Sequence, residues 1–227
     1  MVLIRKYFLV AALITAIIFI LGVIVGVQLD TMKLNTIQDR YKQTELDWYD
    51  MQIKSDYYKL YPGITDYCEI MIDSNLEFSD EIYSQGLEIE RYEEQSKFLE
   101  AVKQDKREYA LLKFQFWMNA IELRDSCRAD YDIILYFYKD EPNAIEEVKQ
   151  NAMSNVLFNL KQNRGPKVIL VPLPIDLDIE SINLVTKQFS IHEVPSIVIN
   201  EKETISGVLS QTAITQALNK ASVSTVA

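Results

Sequence analysis

Three groups of residues carry side chains able to do chemistry: Cys68 and Cys127, the lone histidine His192 beside Glu193, and the alternating carboxylates Asp176, Asp178 and Glu180. The cysteines form no CxxC motif and stand far from the histidine, so they do not make a zinc ligand set. Neither is expected to open a helix, where the positive end would lower a thiol pKa. His192 has no nucleophile next to it and reads as a surface residue. The Asp176–Glu180 run lacks the glycine and the remaining ligands of a calcium loop, so it reads as a loop ending in a helix cap at Asp178. From these residues no catalytic side chain, metal or cofactor is assigned, and the chain reads as a non-enzyme.

The 227-residue chain has a formal net charge of −10. Nucleic acid is excluded as a partner, because binding a phosphate backbone draws on clustered lysine and arginine. With 48% hydrophobic residues the chain supports a packed core, and it shows neither low-complexity tracts nor an internal repeat.

The segment from Tyr7 to Val27, YFLVAALITAIIFILGVIVGV, contains no charge. A helix of about 20 such residues spans a hydrocarbon core. The run is too long for the apolar region of a cleaved signal peptide, and no small-x-small cleavage site follows it. Residues 1–6 then form a short tail. Arg5 and Lys6 before the span favour a cytoplasmic N-terminus, although Lys33, Arg40 and Lys42 lie on the far side. The expected location is a cell membrane, crossed once, with the bulk of the chain outside the cytoplasm.

Residues 31–128 predict a bundle or stalk of three long helices. The first carries Leu34, Ile37, Tyr41, Thr44, Trp48, Met51, Ser55 and Tyr58 at heptad spacing, until Pro62-Gly63 stops it. A second stripe runs Ile64, Cys68, Met71, Asn75, Phe78, Ile82, Gln85, Ile89, Tyr92. The third runs Phe98, Val102, Tyr109, Leu112, Phe116, Ala120, Leu123, Cys127. Glu93 to Lys97 is the expected turn, with Ser96 as N-cap and Gly86 as the alternative break. Trp48 and Trp117 read as bundle core. The rival arrangement is an intermolecular coiled coil on the first stripe, weakened by Thr44 and Ser55. A homo-oligomer through the stalk is therefore left open.

If the second and third helices form a hairpin turning near Lys97, Cys68 and Cys127 fall at nearly equal distances from the turn. Both then reach the same open end. A disulfide there would close a loop of about 60 residues, worth on the order of 4 kcal/mol. It would persist only in an oxidising compartment. Two buried free thiols are the alternative.

From Asp132 the pattern changes. Ile133–Tyr138 and Lys167–Leu173 are apolar runs typical of strands buried on both faces. Helices are expected between and after them, the first with Pro142 near its start and Ile145, Val148, Ala152, Val156, Leu157 and Leu160 on one side. SIVIN, ETIS and a last helix from Gln211 to Lys220 complete the order βαβαββα. The fold class is α+β overall, with an N-terminal membrane helix, a helical stalk and a C-terminal α/β domain over 130–222.

Val194-Pro195-Ser196-Ile197-Val198-Ile199-Asn200 and Gly207 carry a resemblance. This segment, about two-fifths of the chain, resembles a thioredoxin-fold domain: a cis-proline after a hydrophobic residue, a buried strand, a turn and a glycine. An ordinary trans proline opening an edge strand is the competing reading. With its anchor and stalk, the whole chain is similar to membrane-tethered thioredoxin-like proteins from archaea, which show a cysteine shortly before a strand like Tyr136-Phe137-Tyr138. The resemblance implies that Val194 and Pro195 floor a groove that pairs with an extended peptide. Redox-active members place CxxC where the first strand meets its helix; here Asp140-Glu141-Pro142-Asn143 stands there. Without sulfur no exchange occurs at that site, and the position reads as a capped helix.

The expected function is therefore binding of a peptide or partner protein by a membrane-anchored, redox-inactive domain held roughly 45 Å from the bilayer above the cysteine pair. The alternatives are a thiol–disulfide oxidoreductase of envelope protein folding that uses Cys68 and Cys127, and an oligomerising spacer whose assembly Trp48→Glu would dissociate.

Overall fold

The computed structural model describes residues 2–61, 66–93 and 99–223. The expected stop at Pro62-Gly63, Ile64, the turn after Glu93 with Ser96, and Phe98 lie outside them. The described chain is α+β: long helices and one small mixed sheet.

Helix α1 (Val2–Leu60) is a single helix. Its Val10–Leu29 stretch is long and apolar enough to cross a membrane, and none of it is buried by the rest of the chain. No break separates that stretch from the amphipathic part, because nothing between Gln28 and Leu60 is proline or glycine. At the usual rise α1 is about 90 Å long.

Helices α2 (Tyr67–Glu93) and α3 (Leu99–Cys127) complete the helical layer, and α2 passes through Gly86 without ending. The left-handed Arg128, φ 53°, follows the last residue of α3 and stops it. Thr44, Trp48, Met51 and Ser55 of α1 are buried against α2 and α3. Trp48 packs on Phe78, ring centroids 5.6 Å apart, and Tyr41 on Tyr109 at 5.1 Å. The stripe that suggested an intermolecular coiled coil is thus used within one chain. Its polar members find partners there: the Thr44 hydroxyl donates to the Arg40 carbonyl and to Glu81.

Beyond α3 come β1 (Asp132–Tyr138), α4 (Ala144–Arg164), a short 3-10 turn, β2 (Val168–Pro174), α5 (Glu180–Gln188), β3 (Ser196–Ile199), β4 (Glu203–Ser206) and α6 (Gln211–Val223). The sheet order is β2-β1-β3-β4, with β1 parallel to β2 and antiparallel to β3, and β3 antiparallel to β4. Pro172 is tolerated because β2 is an edge strand.

Alternation along β1 explains why its run is continuously apolar. Ile133, Leu135 and Phe137 join the core shared with α2, α3 and α5, whereas Ile134 and Tyr136 join the core under α4 and α6. The helical layer and the sheet therefore share one hydrophobic cluster, running from Trp48 to Val198.

This arrangement corrects the expectation that the α/β part stands above the stalk. The sheet lies alongside α2 and α3, with its edge strand β2 against both helices and Ile133, Leu135 and Phe137 of β1 in the same core. At one end Arg124 reaches Asn200, and Asn200 reaches Asp132; at the other, Lys106 reaches Asp140. Because Tyr109 packs on Tyr41, Asp140 is level with a part of α1 only about ten residues, or roughly 15 Å, past Leu29. The physical cause is the apolar surface that α2 and α3 keep on the side away from α1, which a sheet on top would leave in water.

Candidate functional site

The junction where β1 meets α4 is a fixed helix start. Asn143 is the N-cap: its side chain accepts from the N–H groups of Ile145 and Glu146, both at 3.0 Å. Glu146 returns the bond to the Asn143 N–H at 3.0 Å, completing a capping box. Pro142 precedes the cap and lies outside the helix. The hydrogen bond from the Lys139 ammonium, 2.7 Å away, and then that from the Asn143 backbone hold the Glu146 carboxyl below its usual pKa.

Asp140 accepts from the Lys106 ammonium of α3 at 2.6 Å, with side chains only 13% and 12% exposed. The Asp176 carboxylate accepts from the N–H groups of Asp140 at 2.7 Å and Glu141 at 2.9 Å. Gln150 spans the loop from the other side, accepting from the Lys139 N–H at 2.9 Å and donating to the Lys139 carbonyl at 3.1 Å. The 139–143 segment is tied down from both sides, and it carries no cysteine.

The proline loop sits at the same end of the sheet. Phe137 pairs with Ser196, so Val194 and Pro195 lie beside the exit of β1. The Val194–Pro195 bond is cis. Both residues are buried, Val194 within the core cluster. The Pro195 carbonyl accepts from the Gly207 N–H at 2.8 Å, and Gly207 meets this geometry with φ 89°. Neither residue lines an open cavity by its side chain; His192 and Glu193, just before them, are exposed.

Around this end three apolar side chains face solvent: Ile145 (71%), Val148 (70%) and Val208 (48%). The sequence placed Ile145, Val148 and Ala152 on the buried side of α4. Leu157 and Leu160 of the expected side are buried, but the rest of the buried row is Gln150, Met153 and Lys161. Two polar residues displaced the pattern because both are satisfied inside: Gln150 as above, and Lys161 by the Val168 carbonyl at 2.9 Å and Asp80 at 3.0 Å.

Cys68 and Cys127 are joined by a disulfide, Cα atoms 5.4 Å apart, tying α2 to α3 at the end of the hairpin away from its turn. One expectation is corrected. Cys68 is the second residue of α2 and so lies in a first helical turn, whereas Cys127 is the last residue of α3. Asp178 does not cap α5; Ile179 holds the N-cap position, and Asp178, at φ 55°, accepts at its carbonyl from Arg107 at 3.0 Å.

The turn expected through Glu201, between the SIVIN and ETIS strands, is present between β3 and β4; its left-handed backbone was not foreseen. Asn200 and Glu201 both have positive φ, 48° and 56°, as a type I′ hairpin turn requires. Asn200 suits that conformation; Glu201 is kept in it by Arg124 at 2.6 Å and the Trp117 indole at 3.3 Å. An asparagine before a charged residue between two short strands was the available signal.

A separate cavity of about 350 Å³ lies between α1 and α3, lined in part by Tyr41, Trp48, Tyr49, Tyr109 and Leu112.

No known protein family matches this chain, and no curated protein does. Among solved structures, one described as a malarial protein is 18% identical, covering 40% of this chain and 96% of that one, with a TM-score of 0.31. A likeness of that size carries no argument about fold or function.

Proposed function

We propose that this is a membrane-anchored binding protein whose C-terminal α/β segment is a redox-inactive thioredoxin-like domain presented outside the cytoplasm. The single observation that carries the reading is the 139–146 segment. Where the resembled family places its reactive sulfur there is a capping box and a buried ion pair. The sheet order β2-β1-β3-β4 and the placing of the proline loop beside that helix start support the domain assignment.

The ligand is an extended peptide or a partner segment laid across Ile145, Val148 and Val208, next to the backbone of Glu193 and Val194. Exposed apolar side chains around a rigid backbone edge suit such a ligand. The C-terminal bulk is external in this account, which agrees with Arg5 and Lys6 before the span and with a disulfide that needs an oxidising compartment.

The test is peptide affinity, measured by fluorescence anisotropy on the full chain in detergent with a library of extended peptides. Ile145→Glu combined with Val148→Glu should weaken binding at least about tenfold, the effect of losing about 1.4 kcal/mol. Unchanged affinity in that variant, or no binding by the wild type, would refute the reading.

A second reading is favoured by one observation. Cys68 in the first turn of α2 would have its thiolate stabilised after reduction, whereas Cys127 at a helix C-terminus would not. This asymmetry suits a thiol–disulfide oxidoreductase, and it predicts catalysis that either Cys→Ser substitution abolishes.

A further inference from the structure

Helix α1 carries two apolar faces beyond its membrane span. One packs on α2 and α3. The other, formed by Leu46, Tyr49, Ile53, Tyr57 and Leu60, lies across the helix from it, with Tyr49 at the edge where it also lines the α1–α3 cavity, and its members are between 53% and 74% exposed. At 100° per residue these five fall within about 80° of one another, centred nearly opposite Thr44, Trp48, Met51 and Ser55. A solvated helix face gains nothing from a contiguous row of large apolar side chains.

We propose that this row is the interface with a second copy of the chain, making a parallel homodimer of α1 helices. Three observations select that occupant. The row belongs to the same unbroken helix as the Val10–Leu29 span, so copies in one membrane present it at the same height and in the same direction. The bilayer itself does not reach it, because Leu46 is about 17 residues, or roughly 25 Å, beyond Leu29. The row is also large enough. Five side chains at this exposure offer on the order of 500 Å² per copy, so about 1,000 Å² for a pair, which reaches the lower bound of a specific interface.

Spacing and rigidity agree. Leu46 recurs at Tyr57 and Tyr49 at Leu60, an 11-residue period that pairs two nearly straight helices with a slight right-handed crossing. Tyr49 donates to Glu45 at 3.2 Å, and the Tyr57 ring packs on Tyr61 at 5.0 Å, so both aromatic anchors are held before association. Membrane anchoring raises effective concentration, so a modest face suffices. The sheet lies beyond α2 and α3 on the far side, and pairing through α1 leaves it uncovered.

The experiment uses the full chain in its membrane with a photoreactive residue at Ile53, and at Asn155 on the exposed side of α4 as control. Irradiation should yield a product of twice the chain mass from position 53 and none from position 155. In detergent, light scattering should give a dimer for the wild type and half that mass for Ile53→Glu, at unchanged melting temperature. A crosslink to a different protein, no crosslink at position 53, or a dimer that survives both Ile53→Glu and Tyr57→Glu would overturn the proposal.

Discussion

Lys106 of α3 and Asp140 at the exit of β1 meet at 2.6 Å, although 34 positions and a complete strand separate them. Their bond fastens the helical layer to the loop where the sheet delivers its first helix. That loop is a joint between two layers.

Breaking this joint from one side leaves a charge with little water around it. Between an exposed pair, worth under about 1 kcal/mol, and a fully buried one, where losing a partner costs about 3–5, the expected loss for Lys106→Ala or Asp140→Ala is about 2 kcal/mol. Chemical denaturation of both single variants and the double checks it: the double should cost less than the sum.

The capping box gives a pH signature. Asn143→Ala should cost about 1 kcal/mol. Glu146 has a folded pKa below its unfolded value, so its contribution is fully present above the ordinary carboxylate range and disappears as pH falls through the lowered folded value. Glu146→Gln should therefore melt slightly below the wild type at pH 7 and together with it in strong acid. A difference that grows on acidification would contradict the assignment.

Removing the disulfide by Cys68→Ser, Cys127→Ser or both should destabilise equally in all three cases, by on the order of 4 kcal/mol for a loop of this length. Peptide affinity should be unchanged in the folded variants. Activity in a disulfide-exchange assay that vanishes with either serine would favour the oxidoreductase reading instead.

Trp48 is a core residue at 4% exposure, packed on Phe78. Trp48→Ala should cost about 3–5 kcal/mol in the unfolding of each chain. Ile53→Glu, one helical face away, should leave the fold intact; circular dichroism melts of the two variants separate the faces.

Much of this was legible in periodicity. From Tyr41 to Tyr58, Cys68 to Gln85 and Tyr109 to Cys127 the heptad stripes follow the inward faces of α1, α2 and α3. Leu34, Ile37, Ile89, Tyr92 and Val102 lie outside the described side chains. The apolar runs gave the strands, since burial on one or two sides leaves a clear spacing. What was not legible came from polar side chains satisfied at long range. Gln150 and Lys161 rotate the buried face of α4 because their partners, Lys139, Val168 and Asp80, become neighbours only after folding. The docking of the sheet beside α3 rests on a second apolar surface of α2 and α3, whose partner is remote in sequence, just as nothing near Lys106 announces Asp140. For the candidate site, the helix start at 140–143 and its lack of cysteine were readable residue by residue, but the burial of Val194 and Pro195 and the exposure of Ile145 and Val148 were not.

The most direct test is where an extended peptide lies when bound. A peptide carrying both a cysteine and a photoreactive side chain would be incubated with the full chain under mild reductant, irradiated, and its attachment points mapped by mass. Adducts confined to residues 145–148, 192–195 and 208, with Cys68 still joined to Cys127, are the predicted result. A peptide attached through Cys68 or Cys127, or adducts only elsewhere, would contradict a binding surface at the proline loop.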